Sequence, residues 1–220
     1  MVRVTGSRGR TLLIRYAASW LYLGGFIVAG LAYQALPGRA QHAVLWWAST
    51  DVVNLRHDPA GCLVASAFVT GGSWLAWPAL IALALFGANQ VLGNWRTAAV
   101  CVAGQVAGTL VSEGIVDYRV QHGLLPAAGA RILDVGPSYV VVSAATVALL
   151  YGSWRARVAA AADSVILVFA GRIFSGLSTL QVAAVGHATA IVVAGVLGSV
   201  LVWRQRRGPR AQRGVPRPLT

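Results

Sequence analysis

Apolar residues in this chain come in long blocks rather than in narrow stripes. Six blocks can be marked, at residues 16–36, 62–86, 97–116, 136–152, 158–173 and 180–203. Most approach the ~20 residues that a helix needs to cross ~30 Å of hydrocarbon. The pattern predicts an all-α polytopic membrane protein, a bundle of six transmembrane helices. The segment between the first two blocks is more than a bare loop. AVLWWASTDVVNL alternates apolar and polar residues at helical spacing, with Trp46 and Trp47 suited to the headgroup level, so it is expected to lie along the membrane surface. The fourth block has only 17 residues. As a helix it spans ~25 Å, so its outer end should sit below the membrane surface, inside protein or a water-filled cavity.

Composition supports a hydrocarbon solvent: 57% of the 220 residues are apolar and 11% are charged. The net charge of +12 suggests nucleic acid only if it forms a patch on a folded surface. All 18 basic residues are arginines, and ten of them lie in the first 15 and last 17 residues, which reads as an orientation signal with no nucleic-acid partner. With the N-terminus inside, thirteen arginines face the cytoplasm and five (Arg39, Arg56, Arg119, Arg131 and Arg172) face outward. Asp51, Asp58, Asp117 and Asp134 fall in the same outer segments. The expected organisation is a basic cytoplasmic N-terminus at 1–15, a six-helix membrane domain at 16–203, and a basic, disordered cytoplasmic tail at 204–220 lying against anionic headgroups. The first block, at 21 residues, exceeds the usual signal-peptide core and reads as an uncleaved anchor. Arginine without lysine, in a chain rich in Ala, Val and Gly, points to a high-GC bacterial genome and so to a bacterial plasma membrane. Cys62 and Cys101 lie within apolar blocks, and no Cys/His cluster has metal-ligand spacing, so neither a metal nor a cofactor is expected.

Candidate chemistry centres on His187. It is the one histidine inside a block; His42, His57 and His122 fall in outer segments. An intramembrane ionisable residue is costly and marks a site with a partner to be named, or else a neutral imidazole bonding two helices together. Beside it runs a stripe of small residues, Gly186, Ala190, Ala194 and Gly198, while Gly104 and Gly108 form a similar pair in the third block. Ser138 is the partner of choice. Counted from the cytoplasmic ends it lies ~21 Å up its helix and His187 ~24 Å up its own, so a serine and a base share one depth. Ser66 and Ser178 also lie near the outer half. Gly136-Pro137-Ser138 reads as a helix start, where the free backbone N–H groups of Ser138 and Tyr139 can hold an oxyanion. Glu113 and Asp163 stand near opposite ends of their blocks, within reach of headgroups. An inward-facing Glu113 would instead favour a small transporter.

Three stretches resemble the rhomboid intramembrane serine proteases. SAFVTGG (66–72) with LGNWR (92–96) is similar to the family's second span and the turn after it, GPSYVVVSAATVALLYG (136–152) to the span that opens with its GxSG nucleophile motif, and GHATAIVVAG (186–195) to the sixth span with its histidine. The resemblance implies a six-helix rhomboid-like bundle with a Ser138–His187 dyad and no cofactor. It also implies transmembrane protein substrates, admitted past a mobile fifth helix and cleaved near their outer ends. Tyr139 stands where the family has glycine after the serine, and Leu75 and Ala79 stand near its second-span histidine and asparagine. Proline before the serine also occurs in inactive relatives. The alternative is therefore a catalytically inactive protein of this fold that binds transmembrane segments.

Overall fold

The computed structural model describes residues 5–207, and all of their regular structure is helical. Helix α1 (Thr5–Arg15) leads through Tyr16 into α2 (Ala17–Gln34). Three short helices follow, α3 (Gly38–Ala48), α4 (Val52–His57) and α5 (Pro59–Ser66), and after an irregular stretch come α6 (Trp77–Leu92) and α7 (Asn94–Gln121). A 3-10 turn at Ala127–Arg131 precedes α8 (Ser138–Tyr151) and α9 (Trp154–Phe169), and a second at Leu177–Thr179 precedes α10 (Val182–Arg207). The basic N-terminal segment is thus helical from Thr5. The last helix runs past Trp203 to Arg207, and the remainder of the tail lies outside the described residues.

The block at 62–86 is not one helix. Residues 67–76 are irregular, and the regular helix begins at Trp77 with Pro78 in its first turn, where a missing N–H costs nothing. Gly71, Gly72 and Pro78 were the local breakers. The irregular stretch leans on α2: the Tyr22 hydroxyl donates to Ala67 O at 2.7 Å, and Phe68 and Trp74 pack over Gly25 and Gly30.

Helix α8 is the hub. It touches α6, α7, α9 and α10, and nine of its 14 residues are buried. Close approach depends on small residues: a Cβ at Gly87 would sit 2.9 Å from Ala148 Cβ, and one at Gly198 would sit 3.1 Å from Val147. The outer surface of the bundle is apolar, with Leu21, Val28, Val102, Phe169, Val192 and Val196 all exposed. Helices α7 and α10 are long and apolar enough to cross a membrane, and α6 and α8 are apolar but shorter.

Two polar knots fix the ends. In the turn LGNWR, Gly93 takes φ +76°, a conformation open to glycine, and Asn94 accepts from Ala18 N–H and Asn89 Nδ2 and donates to Ile14 O. Ser19 joins the knot by donating to Leu85 O and accepting from Asn89. At the other end, Thr50 N–H and hydroxyl donate to Asp134 O at 2.9 and 3.1 Å, and Asp134 N–H donates to Ser49 Oγ. Asp51 caps α4 through the N–H groups of Val53 and Asn54.

Candidate functional site

Helix α8 starts where the sequence placed it. Gly136 adopts φ +141° and its N–H reaches Ser66 O at 2.9 Å, which anchors the chain just before the helix. Pro137 occupies the N-cap, and the first helical bond runs from Val141 N–H to Pro137 O. The N–H groups of Ser138, Tyr139 and Val140 therefore stand outside the helical ladder, at the positive end of the helix dipole.

His187, on the second turn of α10, is 4% exposed. Its Nδ1 lies 3.1 Å from Ile173 O. A carbonyl can only accept, so Nδ1 carries the proton and the lone pair of the neutral ring sits on Nε2, which is buried without a partner. The loop that presents Ile173 is contorted: Arg172 and Leu180 both take positive φ, at 51° and 57°, unusual for residues with a Cβ.

The side chain packed against His187 is that of Tyr139. The two rings meet edge to face with centroids 4.9 Å apart. The phenol slots between α7 and α10 at two glycines: a Cβ at Gly186 would overlap its hydroxyl and ring, and one at Gly108 would come within 3.3 Å of Cδ2. Its hydroxyl donates to Asp134 Oδ2 at 3.1 Å, a carboxylate oxygen that also receives Thr50. Successive helix residues point ~100° apart, so turning Tyr139 toward His187 turns Ser138 away. No hydrogen bond joins Ser138 to His187 among the described residues, and the serine is half-buried. Of the two other serines considered, Ser66 receives Gln105 Nε2, and Ser178 lies in the 3-10 turn at Leu177–Thr179.

Asp134 was legible only as one of several outer carboxylates. In the structure it ties α8 to the surface helices. Burial pushes its carboxyl above the ordinary 3.8, opposed by the hydrogen bonds from Tyr139 and Thr50. The signal that could have found it is the pairing of Ser49-Thr50-Asp51 with a lone aspartate four residues ahead of a helix-starting Ser. Glu113 and Asp163 do not reach the headgroups as expected: they are 2% and 0% exposed, and all four of their carboxyl oxygens lack partners. Toward the other end of the bundle α7, α8 and α10 close on one another, with Gly104 against Ser143 and Ala190, and Gly198 against Val147 and Tyr151.

Beside the site, α8, α9 and α10 separate to leave a cleft of about 260 Å³ lined by Val142, Thr146, Leu150, Ser164, Phe174 and Ile191. Ile173, whose carbonyl holds His187, also lines it.

Among known proteins, no curated sequence and no solved structure matches this chain. The family model described as rhomboid-like protein matches residues 13–207, from the last turns of α1 to the end of α10. With a bundle of helices, an apolar exterior and a match over nearly its whole described length, the chain is a membrane protein that belongs to the rhomboid-like family.

Proposed function

We propose that this protein spans a bacterial plasma membrane with six helices, both termini cytoplasmic, and that it holds transmembrane segments of partner proteins without cutting them. The observation that carries this reading is the placement of Tyr139. Its ring occupies the space against His187 where a scissile carbonyl and an attacking hydroxyl would have to meet. The cleft between α8, α9 and α10 offers an apolar seat for a segment arriving from the bilayer. Thirteen arginines against five support the orientation.

A second reading, intramembrane proteolysis, draws support from the free lone pair on His187 Nε2. On that reading Ser138 Oγ attacks the scissile carbonyl as its proton passes to Nε2, and the N–H groups of Ser138 and Tyr139 hold the oxyanion. The Tyr139 ring must first swing aside and the first turn of α8 must rotate to bring Ser138 toward α10.

Labelling of the purified protein with a serine-reactive fluorophosphonate separates the two. The holding function predicts no label on wild type, and an intact single-span model peptide cross-linked from a photoreactive residue at Leu150. Label on wild type that vanishes in both Ser138→Ala and His187→Ala makes the protein a hydrolase instead. Absence of any peptide cross-link refutes the holding function.

A further inference from the structure

Glu113 plays no part in the holding function, and no basic side chain answers its charge. It stands on α7 where the start of α4 meets that helix: Val52 packs with Val116, one turn beyond Glu113, and with Val182 at the start of α10. The Val52 N–H lies beside the Glu113 carboxyl, yet neither carboxyl oxygen completes a hydrogen bond among the described residues. The charged groups that act on it are Asp134 and Asp51, both acidic. Arg119, less than two turns further along α7, donates to Thr179 O instead.

Asp51 has a similar deficit. Its Oδ1 caps α4, while its Oδ2 is sealed from solvent without a partner. A hydroxyl supplies an independent sign of the same kind. Thr97, Thr146 and Thr189 each donate to the carbonyl four residues back, at 2.9, 2.7 and 2.9 Å. Thr109, one turn before Glu113 on the same face of α7, makes no such bond, and its Oγ1 is buried unpaired. Two Glu113 oxygens, Asp51 Oδ2 and Thr109 Oγ1 are thus desolvated without a protein partner, a deficit that a bound ligand removes.

The donor set narrows the ligand. A proton on Glu113 serves two of these oxygens, one as donor and one as acceptor, and leaves the other two as they were. All four are hard oxygen ligands, which suit hard cations. Calcium takes about six to eight oxygens and magnesium keeps several waters, and a sealed group of four oxygens meets neither need. Among the described residues no three His, Cys, Asp or Glu side chains converge on a metal position either. A monovalent cation remains. A cavity of about 390 Å³ adjoins the cluster and shares Asp134, Val116 and Val182 with it, which gives an ion a route in past a carboxylate.

We propose that Glu113, Asp51 and Thr109 bind a sodium ion, which enters by this cavity and pins the start of α4 to α7. The site is independent of the holding function, because none of its three ligands lines the cleft between α8, α9 and α10.

The test is thermal unfolding of the full chain in detergent micelles, in sodium chloride and in choline chloride of equal ionic strength. Sodium at about ten times its dissociation constant should raise the Tm of wild type by about 3–6 °C, and choline should not. Equilibrium dialysis against radioactive sodium should find one ion per chain. Glu113→Gln, which keeps the shape and removes the charge, should abolish both signals, and Thr109→Val should weaken binding about tenfold. Asp163→Asn removes an unpartnered buried carboxyl on α9 and should leave both signals unchanged. Equal Tm in the two salts for wild type, or a sodium response that survives in Glu113→Gln, overturns the proposal. Stabilisation by acid with no response to sodium overturns it too, and makes the ligand a proton. If Glu113→Gln does not fold, absence of bound sodium on wild type, or undiminished binding in Thr109→Val, overturns it alone.

Discussion

The wedge of Tyr139 between α7 and α10 can be tested by a double-mutant cycle with Gly186. A methyl group at Gly186 would overlap the Tyr139 hydroxyl and ring, so Gly186→Ala forces the phenol to move within a packed core. Overpacking of that kind costs about 1–3 kcal/mol. Against it, alanine in a helix interior is favoured over glycine by about 1 kcal/mol. In wild type the two terms leave a net change between neutral and about 2 kcal/mol destabilising. Tyr139→Leu removes the outer ring atoms and the hydroxyl. By itself it should cost about 3–5 kcal/mol, from lost packing and from the bond to Asp134. In that background the methyl group meets open space, the overpacking term disappears, and Gly186→Ala should stabilise by about 1 kcal/mol. The coupling energy is then about 1–3 kcal/mol, readable as a reversal of sign in reversible unfolding in mixed micelles followed by tryptophan fluorescence. If Gly186→Ala has the same effect in both backgrounds, the ring does not lie on Gly186 and the argument from Tyr139 against a working dyad fails with it.

The same clasp carries a pH dependence. Asp134 has its carboxyl raised by burial, so its contribution to stability is full below the ordinary value of 3.8 and is lost as pH rises through the raised value; thermal unfolding should show wild type losing stability over that window and Asp134→Asn showing a shallower loss. Glu113 lies within electrostatic reach of Asp134. At the opposite end, Asn94→Ala leaves Ala18 N–H and Ile14 O without their partner and should lower stability by about 2–3 kcal/mol. Asn94→Asp, which keeps the acceptor for Ala18, should cost less, and equal losses in the two variants would falsify the role given to the acceptor.

Much of this protein follows from local sequence. Where an apolar block is long and uninterrupted, burial or hydrocarbon is its only solvent and a helix satisfies its backbone, so α2, α7, α8 and α10 fall where the blocks lie. Rise per residue is constant, so residues counted to similar depth on two helices can meet, and the structure brings Tyr139, next to Ser138, against His187. Interruptions were harder to read. Residues 67–76 sit inside an apolar block but break at Gly71 and Gly72, with the bond from Tyr22 to Ala67 O tying the stretch to α2, and α9 begins at Trp154, four residues before the block at 158–173. What the sequence could not specify is rotation about a helix axis. Helix α8 is apolar on every side and buried on nearly all of them, so no polar stripe chooses between Ser138 and Tyr139 as the residue that faces α10. The choice falls to the space left by two other helices, at Gly108 and Gly186, and to a carboxylate at Asp134 that a phenol can reach and a serine hydroxyl cannot. Glu113 and Asp163 turned inward for the same reason: near a block's end the composition allows either face, and only the neighbouring helices decide which one is covered.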